Sequence, residues 1–188
     1  LAGKDLDKSN PDLVVQVNSA AQWNTRGDGL PGSSEYDLQS VFIHEIGHGL
    51  GFLSNDAYDP FFGLGSLDQP TPFDAFLQTS DGRRLADLPT PSKELGSALT
   101  STLVWSGPLG IKANNGIKPK MYTPSRYQSG SSTSHLDEDT FSKSGLDSVM
   151  TPSLDPGEVF HEPGPLLLAM MEDMRNKPAA GVATDLPL

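Results

Sequence analysis

The chain contains no cysteine. That absence excludes a disulfide framework, thiol nucleophiles and thiolate metal sites. No apolar run approaches the roughly 18–20 residues of a membrane-spanning helix, so no membrane span is expected. Positive charge is scarce: 13 Lys and Arg stand against 24 Asp and Glu, for a formal net charge of −11. Such a balance argues against nucleic acid or an anionic membrane as the main partner. The N-terminal LAGKDLDKSN lacks the apolar centre of a signal peptide, and a mature form or an excised fragment is expected. Histidine is also rare, at four residues in the whole chain, so two of them at ligand spacing carry weight.

What is present is loop-forming. With 19 Gly and 16 Pro among 188 residues, the chain reads as a loop-rich protein. Its length suits one domain with a sizeable core, or a domain carrying a large insertion. Asp12 to Asn18 (DLVVQVN) reads as a strand and Ala20 to Trp23 as a second, edge-like one. The stretch NTRGDGLPGSSE is rich in turn formers. Ser34 followed by Asp37 has a capping-box spacing. Leu38, Val41, Phe42 and Ile46 follow at helical spacing, which predicts a helix over about 35–50 with Gly51 as its stop.

Punctuation by Gly, Pro and Ser then becomes dense. Short helices are expected near 72–78 and 92–103, strands around 103–105 and 120–123, and a loop at SGSSTS (129–134). From Pro163 the segment PGPLLLAMMEDMRN has prolines suited to a first turn followed by good helix formers, predicting a last helix over about 164–176. The tail KPAAGVATDLPL reads as a linker or frayed terminus.

The chemistry concentrates in HEIGHGLGF, residues 44 to 52. On a helix, residues four apart share a face, so His44 and His48 can aim imidazole nitrogens at one ion. Zinc accepts such nitrogens at about 2.0–2.1 Å. Glu45 projects beside the pair, placed to reach a zinc-bound water and serve as general base. A catalytic zinc site normally takes a third protein ligand. The usual continuation would put a His at position 54, which holds Ser54. The candidates are His135 in SSTSHLDEDTF, His161 in GEVFHEPGP, and the carboxylates Glu138, Glu158, Glu162 and Glu172. Composition alone does not choose among them. Downstream of His135 comes DSVMTP, with Met150 in a turn setting before Pro152.

HEIGHGLGF, then SHLDE far downstream, then VMTP together resemble a metzincin-type zinc metallopeptidase. The long stretch between His48 and His135 is the leishmanolysin-like arrangement, and HEPGPLLLAMMEDM resembles the last helix of secreted bacterial peptidases of that type. The resemblance implies that His44, His48 and His135 are the zinc ligands and Glu45 the general base. It implies Gly51 as the turn and Met150 as the hydrophobic floor under the metal. His161 is then a capping or supporting residue. Some metzincins carry a tyrosine after the Met-turn; here Thr151, Pro152, Ser153 and Leu154 stand there, so that role is unfilled or moved. The early strands resemble a sheet edge that pairs with an extended substrate, and Ser153 to Glu158 would wall the pocket for the residue after the scissile bond.

The expected fold class is α/β (α+β): a metzincin-like catalytic domain over 1–178 with a small twisted sheet, an active-site helix, an inserted subdomain at about 55–130, a Met-turn and a C-terminal helix. Residues 179–188 are the tail. The expected function is that of a secreted zinc metalloendopeptidase acting on protein or peptide substrates. The resemblance implies a strand, a helix and another strand ahead of the segment seen here, so either a trimmed fold or a fragment is expected, with an N-terminal segment or propeptide as an expected partner. The alternatives are an HExxH peptidase with a Glu third ligand such as Glu172, or a zinc-containing binding module without turnover. The acidic groups Asp56, Asp59 and Asp68, and Asp137, Glu138 and Asp139, are calcium candidates. Their spacing matches no EF-hand loop, and a solvated acidic face is the favoured reading.

Overall fold

A computed structural model describes residues 7–141 and 145–176. The chain is mixed α and β, with four helices and three two-stranded sheets among the described residues. The expected C-terminal tail lies outside them.

The first sheet is a two-residue parallel ladder, β1 (Trp23–Asn24) with β2 (Tyr36–Asp37). Helix α1 (Leu38–Gly49) follows β2 directly. Asp37 caps it, its carboxylate accepting from the Ser40 amide at 2.9 Å. The cap is therefore Asp37 rather than Ser34, and the helix starts three residues later than the capping-box spacing suggested. Gly51, at φ +111°, reverses the chain in a conformation that favours glycine.

The strand expected over Asp12 to Asn18 does not form. Its residues join no β-ladder among the described ones, and Leu13, Val14 and Val17 are exposed. β-branched composition gives a tendency only; a strand needs a partner for its ladder. Trp23 does enter a strand, but in the parallel pair with Tyr36 rather than at residues 20–22.

After the turn come the hairpin β3 (Ala57–Asp59) and β4 (Leu64–Ser66), a short 3-10 turn at Asp74–Phe76, and β5 (Leu77–Thr79). Part of the helix expected at 72–78 is thus strand. β5 pairs antiparallel with β6 (Leu103–Trp105). Between them lies α2 (Lys93–Leu99), capped by Ser92 through a 2.9 Å bond from the Leu95 amide. Helix α3 (Pro108–Ala113) begins with a proline, where the missing N–H costs nothing. The last helix is α4 (Gly164–Arg175).

The core gathers on Phe52, Phe73, Phe76 and Trp105, whose rings lie 4.7–5.1 Å apart from one neighbour to the next. Leu95, Leu99, Leu103, Met121, Leu136, Met150, Leu166 and Met170 complete it, each fully buried. One carboxylate buried in this core is fully partnered. Asp173 on α4 accepts from Trp105 Nε1 at 3.0 Å and from the amides of Leu109 and Gly110 at 3.0 and 2.8 Å. This fixes α4 against the start of α3, and so fixes the surface on which the Met150 segment rests.

Candidate metal centre

His44 and His48 lie one turn apart on α1, and His135 enters from the loop ahead of Leu136. Their Nε2 atoms converge. His48 lies 3.1 Å from His44 and 3.1 Å from His135, and His135 lies 3.3 Å from His44. The three are close enough to hold one metal ion.

Each ring is oriented from behind by a backbone carbonyl. His44 Nδ1 reaches Val149 O at 2.7 Å, His48 Nδ1 reaches Phe52 O at 2.7 Å, and His135 Nδ1 reaches Ser131 O at 2.8 Å. A carbonyl only accepts, so each Nδ1 carries a proton, and the neutral form of each ring has its lone pair at Nε2. Three lone pairs facing one another cannot hydrogen-bond among themselves. They repel unless a cation sits between them, and a carbonyl behind each ligand ring is the usual support of a metal site. Burial pushes the His135 imidazole down to about 3, and burial likewise lowers that of His48. Both rings are then neutral, the ligand form, at physiological pH.

The local fold explains these carbonyls. The reversal at Gly51 brings Phe52 back over the last turn of α1, with its amide bonded to Gly47 O at 3.1 Å. Its carbonyl thereby faces His48. The 3-10 turn Ser148–Met150 makes three connections. Val149 supplies the carbonyl to His44. Met150 O accepts from the Leu136 amide at 2.8 Å, next to His135. The Met150 side chain, fully buried, packs under Gly47, where a Cβ would stand 2.7 Å from its sulfur. A Cβ at position 47 would make the Met150 side chain shift, and one turn holds both the helix and the third-ligand segment.

Glu45 is half-buried. It borders a cavity of about 150 Å³ together with Val41, His44, Ser148, Pro152, Ser153 and Leu154. The side chain next to the paired histidines therefore faces a small recess walled by the segment after Met150.

His161 does not join the other three. Its Nε2 lies 2.8 Å from Asp37 Oδ2, at the opposite end of α1. Ser40 Oγ donates to the same Asp37 oxygen at 2.7 Å and accepts from the Phe160 amide at 2.7 Å. Burial raises the Asp37 carboxyl, but the Ser40 hydroxyl and amide and the His161 ring outweigh it and hold it below its ordinary value. The result is a polar latch between the start of α1 and the chain leading into α4. The sequence did carry a signal for it: a capping-type residue, Asp37, three positions ahead of a hydroxyl.

None of the glutamates considered as ligands reaches the histidines. Glu172 faces Arg175 at 3.6 Å on the exposed side of α4, and Glu158 accepts from the Asp155 amide at 2.7 Å. Glu138 and Glu162 also stand outside the described ligand group. The acidic sets considered for calcium form no group of three metal-ligating side chains among the described residues. Asp59 instead caps the turn of its hairpin, accepting from Phe61 N at 2.8 Å, and Asp137 pairs with Lys120 at 3.1 Å.

No family model, curated protein or solved structure matches this chain.

Proposed function

We propose that this chain is a zinc-dependent metalloendopeptidase of metzincin type, with His44, His48 and His135 as metal ligands and Glu45 as general base. The carrying observation is the donor set: three Nε2 atoms 3.1–3.3 Å apart, every Nδ1 tied to a main-chain carbonyl. Nitrogens at about 2.0–2.1 Å from a tetrahedral zinc lie roughly 3.3 Å from one another, so the separations fit that ion. Three neutral nitrogens with a fourth position left for water are the ligand pattern of catalytic rather than structural zinc. Met150 is the Met-turn residue in this reading, and the resemblance makes the enzyme a secreted one acting on protein or peptide substrates.

Zinc bound there supplies a Lewis acid and lowers the pKa of water to near neutrality. The chain's own residues do the rest. Glu45, beside His44 and open to the recess, takes a proton from the attacking water as the water oxygen bonds to the scissile carbonyl carbon. It returns that proton to the amide nitrogen as the C–N bond breaks, giving a carboxylic acid and an amine. The recess bounded by Pro152, Ser153 and Leu154 receives the substrate side chain that follows the scissile bond.

The test is zinc content per chain together with casein cleavage, on wild type and Glu45→Gln. One zinc in both, with cleavage in wild type alone and abolished by a chelator, is the expected result. Full activity in Glu45→Gln would overturn the assignment of the base. One zinc in both with no cleavage in either would make the chain a binding module.

A further inference from the structure

The third ligand sits far from the first two in sequence, and its loop has to be registered against α1 by something other than a short spacer. We infer that Asp56, in the segment leaving α1, is the positioning residue that sets His135 in place. This rests on the metal-centre reading above and adds a residue that no ligand motif contains.

The Asp56 carboxylate gathers three hydroxyls. Oδ2 accepts from Ser54 Oγ at 2.6 Å and from Thr133 Oγ1, and Oδ1 accepts from Tyr127 Oη at 2.6 Å. Ser54 belongs to the chain just past the α1 turn. Tyr127 and Thr133 bracket the loop whose Ser131 carbonyl orients the His135 ring. One carboxylate therefore ties the exit of the helix to both sides of the third-ligand loop. A parallel tie runs from the Ser54 amide to Ser134 Oγ at 3.1 Å, so position 54, where a shorter motif would place its own histidine, here anchors the distant one.

Thr133 shows that the loop is held rather than merely settled. It is fully buried and has φ +67°, a left-handed conformation that β-branched residues rarely adopt. Such a residue persists where its surroundings over-determine it. Two contacts do so: its hydroxyl on Asp56, and its amide on Tyr122 O at 2.8 Å. Tyr122 N in turn binds the His135 carbonyl at 2.8 Å, so the strained residue and the ligand share one short ladder. Tyr127 also stacks on Tyr58 of the β3–β4 hairpin, with ring centroids 5.3 Å apart, which steadies the donor on the Oδ1 side.

An ionised carboxylate accepts at both oxygens, whereas an amide of the same size donates at one end. Asp56→Asn therefore reverses at least one of these bonds, and the hydroxyl it displaces must turn its proton to another acceptor, without a change in volume. The experiment measures zinc affinity by chelator competition, and the visible spectrum of the cobalt(II)-loaded protein, for wild type, Asp56→Asn, Tyr127→Phe and Thr133→Ser. Asp56→Asn is expected to weaken zinc about tenfold or more, as loss of a supporting partner does, and to lower the cobalt absorption toward that of a hydrated, six-coordinate ion. Tyr127→Phe keeps the ring stack and removes one hydroxyl, with about a threefold loss expected. Thr133→Ser keeps the hydroxyl and should bind zinc as wild type does.

Wild-type affinity and spectrum in Asp56→Asn would overturn the inference, even if its Tm fell, because that is the behaviour of a purely structural residue. If Asp56→Asn does not fold, Tyr127→Phe decides: unchanged affinity overturns the inference, and a loss supports it. Failure of wild type to bind zinc at all would instead overturn the metal-centre reading, so the two failures are distinct.

Discussion

Residues 7–51 and residues 52–175 are built in different ways. Among the described residues every buried apolar side chain comes from Phe52 onward; the earlier segment buries Asn24, Asp37, Ser40 and Gly47 instead. Yet that earlier segment holds two of the three imidazoles and the glutamate. The later segment has a core of the ordinary kind, with stacked aromatics and capped helices, and supplies one imidazole. Helix α1 is thus located less by hydrophobic burial than by directed contacts: the Asp37 latch, the two carbonyls behind its histidines, and Gly47 against Met150. Directed contacts fix angle and distance, which a metal site needs, while the apolar burial of the other region supplies the bulk of the stability.

The sharpest way to break this division is at its joint. Met150→Ala removes a fully buried side chain that reaches from the later core to Gly47. We expect a loss of about 2–5 kcal/mol in unfolding free energy, the usual cost of such a truncation, accompanied by weaker zinc binding because the Val149 carbonyl moves with the turn. Gly47→Ala attacks the same contact from the other side and is expected to cost about 1–3 kcal/mol by overpacking. Denaturant titration of both single variants and the double variant checks this. The double variant should be less destabilised than the sum, since one residue vacates the space the other fills. Strict additivity would show that the two regions do not meet at this point.

How much of this was legible in the sequence follows from which interactions are local. Helices α1 and α4 were readable, because spacing, caps and prolines act within a turn or two. The pairing of His44 with His48 and the place of Glu45 follow from helical geometry alone. The strand expected over Asp12 to Asn18 failed because its existence depends on a partner strand, which no local pattern reports. The cap moved from Ser34 to Asp37 because Tyr36 and Asp37 were taken up by the pairing with β1. Residues near the 3-10 turn at Asp74–Phe76 divided between turn and strand for a similar reason: β5 was claimed by β6. Helix α3 carried only a single-turn signal, Pro108 after Gly107, and was missed. The choice of His135 over the four glutamates came from resemblance. Neither the Ser131 carbonyl behind it nor the Asp56 clamp has a sequence signature, since both depend on a loop closing in space.

Acid should separate the two regions next. In the metal-free protein burial holds His135 near 3, against 6.5 when exposed. The folded state then binds fewer protons than the unfolded state between those values, so stability is complete above about pH 6.5 and falls as pH drops. For His135 alone the loss from pH 8 to pH 5 is about 2 kcal/mol, and His48 shifts in the same direction. Asp37, whose carboxyl is held below its ordinary value of 3.8, gives up its contribution only at more acid pH. The latch at the start of α1 should therefore outlast the ligand cluster as pH falls. Chemical denaturation of chelator-treated protein across pH 4–8 tests the order. Stability that stays level from pH 8 to pH 5 would contradict the buried, neutral imidazole. Added zinc should move the loss to lower pH, because the ion competes with protons for the same nitrogens.

The smallest expected effect tests the comparison from its empty side. Phe42, Ile46 and Leu50 lie on the outer face of α1 and are 37–54% exposed, with Leu53 just beyond at 45%. Phe42 and Ile46 line a shallow groove beside Asn24 and Thr25. If α1 is held mainly by directed contacts on its inner face, this outer face contributes little. Ile46→Lys should then change unfolding free energy by less than about 0.5 kcal/mol, the range of ordinary surface substitutions, and leave zinc affinity unchanged. Lysine keeps good helix propensity, so the substitution probes burial rather than helix formation. A cost of 2 kcal/mol or more would mean that the face is covered in solution. Residues 7–51 would then possess a second apolar contact surface besides Ile43, which packs against the later core, and the contrast between the regions would become one of partner rather than of design. Sedimentation of wild type and variant at matched concentrations separates self-association from contact within one chain, because only the former makes the cost depend on protein concentration.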